Sequence, residues 1–492
     1  MTLATRLMVL VLTLSALSGA AAQADDPRAV GGMLGWPQNE MARALGIFVP
    51  DRMKQFDVPG VAVAIVEKGE IVYAGTFGKA GKGNEGPVTP DTLFQAGELG
   101  QTVEALAALS LVDDKLMFLD APLSRDLDTP WLTDRDDNAQ VTLRQVLTQT
   151  SGLGNNVAHP SRRTGFDPGS RFDRSGVGFI YLQRVIEALT GEPLEAVVQS
   201  RVFTPLGLTR SHFLLTPEEH ALEAQSYVRL GFLLSVFYVP LAAALIGLLV
   251  VFWALSRFAF QRRLEPLDYL FPVLGGALFA MAIVWWEFGL ASAVFIIGVA
   301  LICAAVVAML AGFAYYLLYI VGLARARDGI ITRGGAGGEW IIVVLAGAIA
   351  LGGFLPALKW SIPVARFDVL RGEPEANAAT SFRTTAPDMA RLMMALMDGP
   401  PFLTRGTREK LYADPVLAGG PFFWSLVTGV RRDGGRETYW MRGSVLGSES
   451  LMVMDPERRS GVVILTNSRS GGELAQDIVR NVLGVEAVWS LP

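Results

Sequence analysis

Four apolar runs, residues 230–255, 269–286, 290–320 and 340–358, sit in the middle of the chain, between two segments of ordinary soluble composition. A helix rises about 1.5 Å per residue, so roughly twenty apolar residues cover a hydrocarbon core of about 30 Å. All four runs qualify as membrane-spanning helices, the second only just. Arg257, Arg262 and Arg263 follow the first run, and Arg325, Arg327 and Arg333 follow the third. The turn Glu287-Phe288-Gly289 between the second and third has no basic residue. The excess of arginine places those two connections in the cytoplasm, so the chain enters from outside, crosses four times and leaves outside. Trp285, Trp286, Tyr315, Tyr316, Trp340 and Trp360 lie near the expected interfaces. The alternative, a buried bundle in a soluble protein, is disfavoured because soluble cores rarely run this long without charge.

The amino terminus agrees independently. Arg6, an apolar run over residues 7–17 and the small-residue ending Ala22-Gln23-Ala24 form a secretory signal pattern over residues 1–24; an uncleaved anchor is the alternative. Either delivers residue 25 onward outside the cytoplasm, and the expected location is a bacterial-type inner (cytoplasmic) membrane, multi-pass, with the soluble part on the periplasmic or extracellular side. The hydrophobic content of 51% largely reflects the apolar block. A net charge of -5 gives no basic footprint for nucleic acid. The single cysteine, Cys303, falls in the third run, so no intrachain disulfide can form. The glycines at 334–338 resemble a phosphate loop only in composition.

In the first soluble segment a helical stretch over residues 42–56 leads through Val58-Pro59-Gly60 into an alternating strand at 61–66, a turn at Lys68-Gly69 and a second strand at 71–74. Thr92-Leu93-Phe94, a helix over 103–111, Thr142-Leu143-Arg144, Thr150-Ser151-Gly152-Leu153, a helix over 178–190 and Pro205-Leu206-Gly207-Leu208 follow. After the apolar block come Thr384-Thr385-Ala386-Pro387-Asp388, then residues 443–447, then Gly461-Val462-Val463-Ile464-Leu465-Thr466-Asn467.

In that order these pieces resemble the serine β-lactamase and penicillin-binding-protein superfamily, in the branch of class C β-lactamases, D-alanyl-D-alanine peptidases and esterases. The resemblance implies an α+β, β-lactamase-like fold: an antiparallel sheet flanked by helices, plus a helical subdomain. Residues 25–226 and 361–492 would be two parts of one domain, interrupted at 227–360 by a four-helix transmembrane insertion. An even number of crossings is what such a split requires, and surface loops tolerate insertions.

The family's chemistry uses a Ser-x-x-Lys pair, a Tyr-x-Asn motif and a Lys-Thr-Gly or His-x-Gly strand. Carried onto this chain, the nucleophile position is Glu98 and the lysine position Gln101. The second motif reads Arg174-Ser175-Gly176 and the third Met441-Arg442-Gly443. An amide has no useful basic nitrogen, and a guanidinium stays protonated. Serine acyl transfer is therefore expected to be lost, with no catalytic residue at Glu98, Gln101, Arg174, Gly176, Met441 or Gly443. Ser175, Ser444, Ser448 and Ser450 lie near the expected cleft without a lysine three residues on, and read as turn or strand hydroxyls.

Glu98, Arg174 and Arg442 become the candidate ligand-binding residues. Glu98 is expected to pair with Arg174, Arg442 or both, since an unpaired buried charge is costly; three separately solvated groups in an open cleft are the alternative. No cofactor and no metal site are expected: His159, His212 and His220 lack ligand spacing, His212 and His220 are read as surface groups, and residues 134–137 as a solvated acidic loop. Phe422-Phe423-Trp424 and Tyr439-Trp440 either line a groove or pack in the core. The four runs themselves carry no Asp, Glu, Lys or Arg, and Glu287, just past the second run, is the only ionisable group the helices carry, at a predicted outer end, which favours an anchor or partner surface over a conduit. Gly275-Gly276 and Gly352-Gly353 permit close helix association. Binding of a peptidoglycan-related ligand or a membrane protein partner is the leading expectation. A hydrolase with a non-standard nucleophile, and a soluble domain that gates the bundle, are the alternatives.

Overall fold

The computed structural model describes residues 32–81, 86–157, 160–229, 361–363, 376–485 and 489. The signal pattern, the four apolar runs, the glycines at 334–338 and His159 lie outside them. Among the described residues, no helix is long and apolar enough to cross a membrane.

Helix α1 (Gln38–Phe56) buries Met41, Leu45, Val49 and Met53, spaced by four, and ends where Asp57 turns left-handed. It starts before the expected residue 42, directly after Pro37. Strands β1 (Gly60–Glu67) and β2 (Glu70–Gly78) form the expected hairpin, both longer than their apolar cores. β3 (Phe94–Gln95) leads into α2 (Leu99–Asp113), which is buried at every position from Leu99 to Leu111. The helical side continues with α3 (Leu143–Leu147), opened by a capping box between Thr142 and Gln145, and α4 (Gly176–Thr190), capped by Ser175 and closed by Gly191. β4 (Tyr227–Arg229) and β5 (Ser361–Pro363) pair antiparallel across the apolar block. β6 (Arg383–Thr384) pairs with β3 and leads into α5 (Ala386–Asp398), whose first turn is capped by Thr385.

The remaining strands are β7 (Val416–Gly419), β8 (Phe422–Trp424), β9 (Gly429–Asp433), β10 (Arg436–Val445), β11 (Ser448–Asp455) and β12 (Ser460–Thr466), followed by α6 (Gly471–Leu483). The main sheet runs β2-β1-β12-β11-β10-β9-β8-β7, antiparallel throughout. β1 comes from the first segment and β12 from the second, and they pair from Val61↔Thr466 to Val66↔Gly461. That seam makes the two segments one domain. Helices α5 and α6 pack on its central strands, so β11 and β12 are buried at every residue and read as apolar runs rather than alternations. Each fully buried Val or Ile there contributes about 1.5–3 kcal/mol.

The expected boundary at residue 226 shifts. Tyr227 donates its backbone N–H to Gly447 and Asn467, at 3.0 and 3.0 Å, so the first part of the domain runs at least to Arg229. The reason is backbone satisfaction: the ends of β12 and of the β10–β11 hairpin leave carbonyls that this strand completes.

Candidate functional site

The site forms where the β3–α2 connection crosses the end of β10. A Cβ on Gly443 would lie 1.9 Å from the Ala96 carbonyl oxygen, so only glycine permits the crossing. Gly97 adopts φ 54° there. The Ser450 hydroxyl donates to Ala96 O at 2.9 Å and closes the junction from β11.

This geometry sets Glu98 immediately before α2, with Ser444 opposite. Glu98 Oε2 accepts the Ser444 backbone N–H at 2.5 Å. Oε1 lies 3.6 Å from the Arg174 guanidinium, an ion pair without a direct hydrogen bond. Arg174 also spreads over the Trp424 ring, 5.8 Å from its centroid. At an effective dielectric near 20, opposite charges at such a separation attract by about 5 kcal/mol, a gain that desolvation opposes. Desolvation wins: burial pushes the Glu98 carboxyl above its usual range although Arg174, the Ser444 amide and its own amide pull it down, with Glu449 adding to the rise.

Gln101 is buried one turn along α2. Its Oε1 accepts from Gln149 Nε2 at 3.0 Å, and Gln149 Oε1 accepts the Ser175 backbone N–H at 2.7 Å. Gln149 holds a left-handed φ of 59°, which turns its side chain between these partners. Gln101, Gln149 and the Ser175 amide thus form a neutral chain with no charged member. Gly176 donates its N–H to Asn155 Oδ1 at 2.8 Å. Met441 is buried in β10 opposite Met452.

Arg442 does not pair with Glu98. Its guanidinium binds Glu449 Oε2 at 3.0 Å. Side chains alternate along a strand: Gly443 faces Ala96, so Arg442 points to the other face of β10, beside Gly472 at the start of α6. Glu449, only 2% exposed at its side chain, also binds Arg469 at 3.0 Å and accepts the Ser444 hydroxyl at 2.8 Å. Arg469 touches the Ser444 hydroxyl as well. Two clusters therefore meet at Ser444, whose backbone serves Glu98 and whose side chain serves Glu449.

The sequence reading missed Glu449, Arg469, Gln149 and Asn155. Period-two alternation counted from Gly443 was the one signal that would have removed Arg442. The serines behave as structural hydroxyls: Ser175 caps α4 and donates to Gly154 O, and Ser448 meets Ser226 at 2.9 Å. His212 is not a surface group, lying between Glu195 and Glu219 at 3.6 and 3.1 Å with its side chain 14% exposed. Asp134 caps the short helix Arg135–Gln140, and Asp137 accepts from Thr164. Trp424 and Trp440 are buried and stack edge-on at 6.0 Å, as core residues do. Among the described residues no group of three or more His, Cys, Asp or Glu could hold a metal ion.

An antiparallel sheet between helices, with a separate helical layer beside it, is the β-lactamase-like α+β class of fold. The family model described as Beta-lactamase matches residues 48–270. Penicillin-binding protein 4 of Amycolatopsis lactamdurans is 29% identical over 178 residues, covering 33% of this chain and 46% of the relative. Esterase EstB of Burkholderia gladioli is 33% identical over 190 residues, covering 32% and 48%. The chain spans about half the length of the curated relatives it matches. Among solved structures, D-alanine carboxypeptidase AmpC from Burkholderia cenocepacia aligns with TM-score 0.55 at 17% identity, covering 91% of this chain and 99% of that one. A class C beta-lactamase aligns at 0.54 and 14% identity, covering 92% and 98%. Residues 48–270 match the Beta-lactamase family, and these likenesses together support the serine β-lactamase and penicillin-binding-protein-like superfamily.

Proposed function

We propose that this is a β-lactamase-like domain that binds rather than cleaves, held at the membrane by its own inserted segment. One observation carries the first part: the carboxylate of Glu98 occupies the start of α2, tied to the Ser444 amide at 2.5 Å, while the neighbouring basic position is the amide-linked Gln101. Acyl transfer in this superfamily needs a hydroxyl nucleophile and a nearby group able to take its proton. Here Glu98 offers an acid, Gln101 an amide and Arg174 a permanent cation. Losing a nucleophile or base alone costs on the order of 10⁶ in turnover in serine proteases.

What remains accessible is the pair of side chains of Glu98 and Arg174, 17% and 28% exposed, beside the Ser444 backbone. It suits a ligand with both a cationic and an anionic or amide group, such as a peptide related to peptidoglycan. The membrane part of the proposal rests on the apolar runs of residues 230–358 and their arginine-bearing connections. It puts the domain on the outer face.

One preparation tests both parts. Membranes from cells expressing the full chain are washed with alkaline carbonate, and intact spheroplasts are treated with external protease; the purified protein is exposed to a fluorescent penicillin and a fluorophosphonate. The expected result is retention in washed membranes, cleavage from outside and no adduct by intact mass. A stoichiometric adduct on any side chain overturns the binding role. Release by carbonate, or protection from protease, overturns the anchor.

A further inference from the structure

The segment between Arg229 and Ser361 leaves and re-enters the domain at one place. β4 and β5 pair Tyr227↔Pro363, Val228↔Ile362 and Arg229↔Ser361, and paired strands lie about 4.8 Å apart. This two-stranded neck is fastened to the β10–β11 turn and the end of β12. The Tyr227 N–H is shared between Gly447 O and Asn467 O, and Tyr227 O accepts the Arg469 N–H at 2.9 Å. Ser226 and Ser448 join their hydroxyls at 2.9 Å.

Arg469 is also the residue whose guanidinium reaches Ser444 Oγ and Glu449 Oε1. Ser444 in turn gives its backbone N–H to Glu98. A continuous run of hydrogen bonds thus leads from the neck through Arg469 and Ser444 to the carboxylate of the former nucleophile position. None of these links crosses more than one side chain. Glu449 constrains the run further: its side chain is 2% exposed and needs its two guanidinium partners, so Arg469 cannot withdraw without leaving a buried charge half-paired. Gly447, at φ 86° in the β10–β11 turn, fixes the hairpin that carries both Ser444 and Ser448.

We propose that Arg469 couples the neck of the inserted segment to the Glu98 centre, so that a change at one alters the hold on the other. Ligand binding at the Glu98 centre would reach the inserted segment by this route, and by reciprocity a change in that segment would alter the centre. The inference holds whether or not the centre reacts, and whether or not the insert is a membrane anchor.

Hydrogen–deuterium exchange of the full chain tests it, read at the amides of Ser444 and Tyr227, with Val63 in β1 as an interior reference. Arg469→Ala is expected to speed exchange at both Ser444 and Tyr227 by about tenfold, the effect of losing one charge-assisted hydrogen bond. Arg469→Lys should speed both less. Glu98→Gln, which leaves Arg469 in place, should also speed Tyr227. Arg405→Ala, on an exposed helix and bound only to Glu409, should change neither. Unchanged Tyr227 exchange in both Arg469→Ala and Glu98→Gln overturns the coupling. So does an equal rise at Val63, which would mean general loosening.

Discussion

Gly443 and Ala96 touch so closely that a single added carbon is excluded: a Cβ at Gly443 would sit 1.9 Å from the Ala96 carbonyl oxygen and 2.6 Å from Ser450 Oγ. The serine could turn away, but the carbonyl belongs to the connection that carries Glu98 and cannot. Glycine is required at 443 because its role there is spatial.

Gly443→Ala is therefore expected to destabilise the protein by about 3 kcal/mol, within the range for overpacking a tight interior contact. Chemical denaturation of the purified protein measures it. Gly406→Ala, where an added Cβ meets nothing within 4 Å, serves as the control and should change little. Equal midpoints for the two variants would show that the crossing has slack.

Glu104 lies in the middle of α2, 0% exposed, and neither carboxylate oxygen has a hydrogen-bond partner. Burial drives its carboxyl well above the ordinary value, and the nearby Glu187 adds to the rise. A carboxyl raised in the folded state favours folding while both states are protonated. Its contribution is full below the ordinary glutamate value and is lost as pH rises from there through the folded value. Replacing the group removes that loss. Glu104→Leu should stabilise by about 1–3 kcal/mol at pH 7 and by less at pH 4, as expected for deleting an unsatisfied buried polar group. Denaturation midpoints at the two pH values decide it, and no gain at pH 7 would rule the argument out.

Arg383 and Glu223 form a buried pair, 3.1 Å apart, with side chains 5% and 1% exposed. Gln95 supplies another donor to the same carboxylate oxygen. The pair joins β6 to the segment that leads to the neck. Arg383→Ala should cost about 3 kcal/mol because it takes the guanidinium from a buried carboxylate that keeps Gln95 and His220 beside it, whereas the double variant Arg383→Met with Glu223→Leu should recover most of that loss. Thermal unfolding of the three variants is the check. A double variant no better than the single one would mean that the geometry of the pair, not its charge, is what the fold requires.

Much of the architecture was legible from local pattern. The strand at 61–66 was legible from its alternation, the motif at 461–467 falls on β12, and the motif carried from Phe94 put Glu98 and Gln101 ahead of the helix expected at 103–111, which in fact begins at Leu99. The lengths were less legible. β2 extends to Gly78 through residues of mixed polarity, because pairing with β1 rather than side-chain burial sets its end. His212 read as a surface residue because its two carboxylate partners, Glu195 and Glu219, come from different helices whose meeting depends on the fold.

By itself the sequence determined the superfamily, the side chains at the three motif positions and the division of the domain by an apolar block, since each depends on residue type and spacing along the chain. Only the tertiary structure decided which charges meet. Arg442 turns to Glu449 because neighbouring residues of a strand face opposite ways, and Arg469 reaches both Ser444 and Tyr227 because the loop after β12 passes between them. Electrostatic attraction acts through distance in space, and residues far apart in the chain acquire that distance only when the sheet closes.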